Sequence, residues 1–171
     1  LLHWPDDTGV PLEDTWGAVS GLVDEGLVRA VGLSNYDRDD IAACHAQRRV
    51  EVVQTGLSVV DYLEDRDLIA WCGGQGMTVT IYEPLAGGVL TDHSFDQVRA
   101  KYVGTPWEES GYFRLMFGPG TAARTQQVVS GLKEIAAQLD VSVAQLALGW
   151  VLRQPGVASA VVGSGDPERV R

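Results

Sequence analysis

Positive charge is what this sequence most lacks. Lysine and arginine together number 13 against 23 aspartates and glutamates, for a formal net charge of −10. That balance excludes the basic footprint of a nucleic-acid-binding protein, and an anionic membrane surface would repel such a chain. A phosphate-bearing ligand would have to be held by backbone amides and a few placed cations. Cysteine is also scarce. Cys44 and Cys72 stand far apart in no C-x-x-C pattern, which excludes a disulfide framework and points to a reduced, cytoplasmic protein. Apolar runs are too short to span a bilayer, and no basic-then-apolar leader opens the chain. Three motifs fail on inspection. GLSNY has Tyr36 where a nucleophile elbow needs glycine. The Cys44–His45 pair has no second ligand pair, so no metal site is expected. The GSG run at Gly163–Gly165 lacks the rest of a dinucleotide fingerprint or phosphate loop.

What remains is an ordinary globular composition, 45% hydrophobic and 21% charged over 171 residues, enough for one domain with a sizeable core. Leu1 already stands inside an apolar, strand-like run, LLHW, which reads as a cut through a longer protein. The spacing of Trp16, Val19, Leu22 and Val23 predicts a helix from about Leu12 to Glu25, stopped by Gly26. Val28–Leu33 reads as a buried strand. A polar helix through Ile41 and Ala42, a strand in VEVVQTG, a glycine-closed helix in YLEDRDLIAWCGGQG and a strand in MTVTIYEPL follow. Thr91 to Gly120 shows no clean period and reads as a long loop, of a length that is usually functional or disordered. Beyond it, Val128, Leu132, Ile135 and Leu139 mark one amphipathic helix. Ser142 can cap the next, whose buried face would include Leu146, Ala147 and Trp150, and VASAVVG reads as the last strand. Strands alternating with helices argue a parallel sheet with crossover helices. An open doubly wound sheet and part of an eight-stranded barrel both fit.

Polar residues gather where the inferred strands end: His3, Ser34 and Asn35, Gln54, Tyr82, then Gly163 and Ser164. In a parallel sheet or barrel those ends share one face, where ligands bind. His3 is read either as a core histidine or as a proton donor and carbonyl orienter. The GSG turn is read either as a plain strand-to-helix turn or as an anion site, with Arg169 adding a bidentate charge.

The segments LLHWPD, GLVRAVGLSNY, VVQTGLSVVD, TIYEPLAGGVLT, LALGWVLRQPGVASAVVGS and DPER, in that order, resemble the aldo-keto reductases across nearly the whole chain. The resemblance implies an α/β fold, a TIM (β/α)8 barrel, of which residues 1–171 would be the C-terminal part, strands four to eight, incomplete at both ends. It implies an NADPH-dependent oxidoreductase that reduces an aldehyde or ketone, with a small carbonyl compound as its partner. It makes His3 the histidine of the catalytic tetrad. Ser34, Asn35 and Gln54 match the trio that hydrogen-bonds the nicotinamide carboxamide, and Tyr82 the aromatic stacked under the ring. Pro84, Leu85 and Gly87 match the segment that approaches the pyrophosphate. Gly163, Ser164 and Arg169 match the turn that receives the 2′-phosphate, which favours NADPH over NADH. Thr91–Gly120 would be the cofactor-covering loop, with Trp4, Trp107 and Phe113 candidates for the pocket wall. Glu83 departs from the pattern, standing where the family often has serine, and Gly165 replaces a side chain that often helps hold the 2′-phosphate. The tetrad's aspartate, tyrosine and lysine lie on strands with no counterpart here, so the chain alone is expected to be inactive. Two other readings stay open: a nucleotide-sensing regulatory subunit of the same fold, and an unrelated phosphate-binding barrel. The second leaves Ser34, Asn35, Gln54 and Tyr82 without explanation. Oligomeric state leaves no trace in the sequence.

Overall fold

The computed structural model describes residues 1–5, 8–61 and 66–164. These fall into two compact units, Leu1–Leu57 with Leu63–Tyr82 and Leu152–Val161, and Ser58–Tyr62 with Glu83–Val151 and Val162–Arg171.

The first unit is a parallel sheet with crossover helices. Helix α1 (Leu12–Asp24) is followed by β1 (Gly32–Ser34), α2 (Arg38–Gln47), β2 (Val52–Gly56), α3 (Arg66–Gly74), β3 (Thr78–Tyr82) and, far along the chain, β4 (Val157–Ala160). The strand order is β1-β2-β3-β4, every pair parallel. Sequence neighbours can pair this way because each crossover carries a helix, and the apolar strand residues Leu33, Val53, Val79 and Ile81 are buried. Trp16 anchors α1, fully buried, its indole N–H donating to the Arg48 carbonyl at 3.3 Å. Asp37 caps α2 by accepting from the Asp40 amide. Two expectations change here. LLHW forms a single parallel bridge, Leu2 to Leu33, rather than a strand. The strand expected from Val28 begins only at Gly32, since the helix stop at Gly26 and the turn behind it occupy the earlier residues.

In the second unit a one-turn 3-10 helix (Ala86–Gly88) is followed by α4 (Phe95–Ala100), a further 3-10 turn (Pro106–Glu109), α5 (Gly111–Phe117), α6 (Ala122–Gln138) and α7 (Val143–Leu152, its last residue in the first unit). The stretch expected to be a loop is therefore helical. Ser94 and Gln97 cap α4 reciprocally, Thr105 and Ser110 cap the next two turns, and Ser142 with Gln145 forms the expected cap of α7. Its aromatics build a core: Phe113, Met116 and Phe117 pack with Leu90, Val98, Val129 and Ala147, and the Phe113 and Phe117 rings lie 5.1 Å apart. The buried stripe of α6 is Thr125, Val129 and Ala136. Ile135 and Leu139 are exposed, so the expected face is turned by about one residue. In α7 the fully buried residues are Val143, Ala147 and Val151, with Leu146 and Trp150 half-buried.

Candidate functional site

The first unit assembles its polar strand ends through register. Ser34, last in β1, pairs with Gln54, and Gln54 pairs with Thr80. Gln54 is the third residue of β2, not its end; the strand runs two residues further, to Gly56. Beyond Ser34 the chain turns at Asn35, which adopts φ 65, a left-handed conformation that asparagine tolerates better than most side chains.

Asn35 is the hub. Its Nδ2 donates to the His3 carbonyl at 2.8 Å and to Ser34 Oγ at 3.2 Å. Its Oδ1 accepts from the Tyr82 hydroxyl at 2.7 Å. Gln54 Nε2 donates to Thr80 Oγ1 at 3.3 Å. Three of the expected residues, Ser34, Gln54 and Tyr82, thus lie on adjacent strands, Asn35 stands in the turn just beyond β1, and His3 joins them through its backbone. The His3 ring itself is exposed, against the Trp4 ring at 5.7 Å. Counting valences separates the roles. Both amide hydrogens of Asn35 are used, while its Oδ1 keeps a second lone pair. Among the described residues, nothing engages the carbonyl oxygen or the second N–H of Gln54. Ser34 is 2% exposed and sits behind Asn35, whereas Asn35, Gln54 and Tyr82 are half-buried.

Gly56 is a residue that sequence reading missed. A Cβ there would lie 3.0 Å from the Tyr82 ring, so the absent side chain is what seats the aromatic against β2. Tyr36 was missed as well: buried, it donates from its hydroxyl to the Trp4 carbonyl at 2.9 Å and fixes the segment that carries His3. The motif GLSNY draws the eye to Ser34 and Asn35, yet nothing local announces a contact 32 residues away. Asn35 and Tyr82 also line an open cleft of about 450 Å³ with Tyr36, Asp37, Arg38 and Thr55.

Other expected residues belong to the second unit. Pro84 is buried, and Leu85 packs on the aromatic core. Gly87 adopts φ 60 and accepts at its carbonyl from the Tyr102 hydroxyl at 3.0 Å. Gly163 and Ser164 are exposed and outside regular structure, and Arg169 and Gly165 lie outside the described residues. Trp4 and Trp107 are each 62% exposed, while Phe113 is core. Cys44 is core too, and the neighbouring His45 accepts the Val50 amide at Nδ1.

Amide, hydroxyl and aromatic side chains thus converge on adjacent strands of a parallel α/β sheet. The chain belongs to the Aldo/keto reductase family, whose sequence profile matches residues 1–171. Among its relatives, the NADH-specific methylglyoxal reductase of Escherichia coli strain K12 is 26% identical, over 100% of this chain and 51% of its own length. A probable voltage-gated potassium channel subunit beta of Oryza sativa subsp. japonica is 29% identical, over 98% of this chain and 52% of its own. The chain therefore spans about half the length of the curated relatives it matches. Among solved structures, an aldo/keto reductase from Klebsiella pneumoniae in complex with NADP and acetate aligns with TM-score 0.67 and 26% identity, covering 99% of this chain and 49% of that one. A glycerol dehydrogenase from Gluconobacter oxydans aligns with TM-score 0.75 at 23% identity, covering 98% and 49%, a likeness of fold. The fold is accordingly that of the TIM-barrel aldo-keto reductases, and the four-stranded parallel sheet is part of such a barrel.

Proposed function

We propose that the protein is an oxidoreductase that reduces an aldehyde or ketone to an alcohol with NADPH, and that this chain supplies the cofactor's seat and His3. The observation that carries the reading is the network pinned by Asn35, which presents open amide valences beside an aromatic ring. A nicotinamide carboxamide needs both donors and acceptors, and the free oxygen and N–H of Gln54 with the second lone pair of Asn35 match it. Tyr82, given room by Gly56, offers the ring a flat face. Ser34 acts through Asn35 as a positioning residue.

When bound, the nucleotide would supply the hydride. The chain's own work is to orient and to exclude water. Asn35 and Gln54 fix which face of the ring is presented, and the His3 ring would hold the substrate's carbonyl oxygen. The choice of NADPH over NADH rests on Gly163, Ser164 and Arg169 as a 2′-phosphate turn. The relatives include both a protein named NADH-specific and one solved with NADP. The tetrad's aspartate, tyrosine and lysine have no counterpart in this chain, so the chain alone turns over no carbonyl compound. We place the protein in the cytoplasm, on its cysteine usage.

The test is binding followed by turnover. NADPH fluorescence titrated against the chain should show saturable binding that Tyr82→Ala and Gln54→Leu each weaken by about tenfold, as loss of a stacking face or a buried hydrogen bond implies. Methylglyoxal and simple aldehydes should show no NADPH oxidation. Binding indifferent to both substitutions would remove the assigned seat. Turnover by the chain alone would contradict the division of labour.

A further inference from the structure

The sequence departs from the family pattern at Glu83, and the second unit shows how that carboxylate is used. Glu83, Ala86, Gly87 and Gly88 adopt φ values of 53, 49, 60 and 99, and left-handed residues in such a run turn backbone amides into a concave, anion-accepting turn. From Ala86 to Leu90, four amides are already taken: those of Ala86, Gly88, Val89 and Leu90 donate to the carbonyls of Glu83, Leu85, Ala86 and Leu85. The remaining one, Gly87 N–H, donates to Glu83 Oε2 at 2.7 Å. The Tyr112 hydroxyl donates to the same oxygen at 3.4 Å, and the Tyr102 hydroxyl holds the Gly87 carbonyl at 3.0 Å. A Cβ on Gly87 would collide with the Tyr102 hydroxyl. Between Ala86 and Leu90 the Gly87 amide is thus the one that no backbone carbonyl takes, and a negative oxygen already sits on it.

We propose that the Glu83 carboxylate is an internal stand-in for a phosphate of the nucleotide cofactor, occupying the Gly87 amide until a diphosphate displaces it. This rests on the nucleotide reading of the site. One N–H cannot serve two anions, and like charges this close repel. Glu83 is exposed, so its side chain is free to swing into water once displaced. A serine at this position could donate to a phosphate, whereas a carboxylate can only accept. Glu83 is thus an affinity-setting residue: it keeps the turn folded without ligand and weakens nucleotide binding.

The experiment is an amide-resolved NMR titration of the 15N-labelled chain and of its Glu83→Ser and Glu83→Gln variants. Each is titrated with inorganic pyrophosphate and, separately, with NADPH. Without ligand, the Gly87 amide should move on either substitution, since a charged acceptor is lost. With ligand, both variants should reach half-saturation at Gly87 at concentrations about tenfold lower than the unsubstituted chain, for pyrophosphate and for NADPH alike. The glutamine variant keeps size and shape, so a serine variant that folds poorly leaves the comparison intact. Equal midpoints in all three proteins, with Asn35 and Gln54 still responding to NADPH, would overturn the stand-in and leave the nucleotide reading standing. Silence at Gly87, Asn35 and Gln54 in every protein would overturn both.

Discussion

Two strands end on non-glycine residues in the left-handed region, Asn35 after β1 and Glu83 after β3, and the two turns are put to opposite use. Asn35 spends its side chain on its own unit, tying together the His3 carbonyl, Ser34 and Tyr82. Glu83 spends its side chain on the Gly87 amide, which no backbone carbonyl takes. Asparagine suits that backbone and glutamate does not, so Asn35 is explained by local structure alone. Glu83 needs a further reason, and the amide it covers supplies one. The same backbone conformation carries a hydrogen-bond hub in one unit and, on the proposal above, a displaceable carboxylate in the other.

The largest expected effect removes the core under the second turn. Phe113→Ala should cost about 4 kcal/mol by chemical denaturation, as for other buried aromatics, and hydrogen exchange should speed at Gly87 and Val98. A cost under 1 kcal/mol would mean that the aromatic cluster is not what holds this unit. Next comes the contrast itself. Asn35→Ala should cost about 2 kcal/mol, from lost hydrogen bonds and an unfavourable φ, and Asn35→Gly about 1 kcal/mol, because glycine relieves the second cost. Glu83→Gly should be near neutral, relief of φ offsetting one hydrogen bond to an exposed group. If the two glycine variants behave alike, the turns are not different in kind.

A smaller effect appears at high pH. Burial pushes the thiols of Cys44 and Cys72, both in the first unit, up to about 11 from an ordinary value near 9. Burial raises Tyr102 and Tyr112 in the second unit, with the Glu83 charge adding to it. In each case the folded form holds its proton longer than the unfolded form does. The stability contributed is complete below the unfolded pKa and is lost as pH rises through the folded one. The first unit should therefore weaken between about pH 9 and 11, and the second only above the ordinary tyrosine range. Circular dichroism with tyrosinate absorbance reads both. Cys72→Ala should flatten the first loss, and an unchanged alkaline limb would count against the buried thiol.

The parallel sheet was legible because its strands are short apolar runs between helices with clear stops, and the comparisons confirm the family that the motifs suggested. Ser34, Gln54 and Tyr82 were legible as polar interruptions of those runs, and the structure brings them onto adjacent strands. Less legible was Thr91–Gly120. Its helices are six and seven residues long, too short to display a period. Their caps carry the signal instead: Ser94 three before Gln97, and Ser110 at the start of α5. The buried face of α6 was misjudged because Val128 and Val129, like Ile135 and Ala136, place apolar residues on two adjoining stripes, and periodicity alone does not say which one meets a partner. Gly56 and Tyr36 act through distant contacts that no local pattern encodes.

The most direct test of the Asn35-centred seat is a crystal structure of the chain grown with NADP+. The expected density places the nicotinamide ring against Tyr82, with its carboxamide on Gln54 and Asn35 Oδ1. A nucleotide bound with its ring away from β2 and β3, or held by its adenosine end alone, would contradict the assigned seat and leave the Asn35 network a purely structural one.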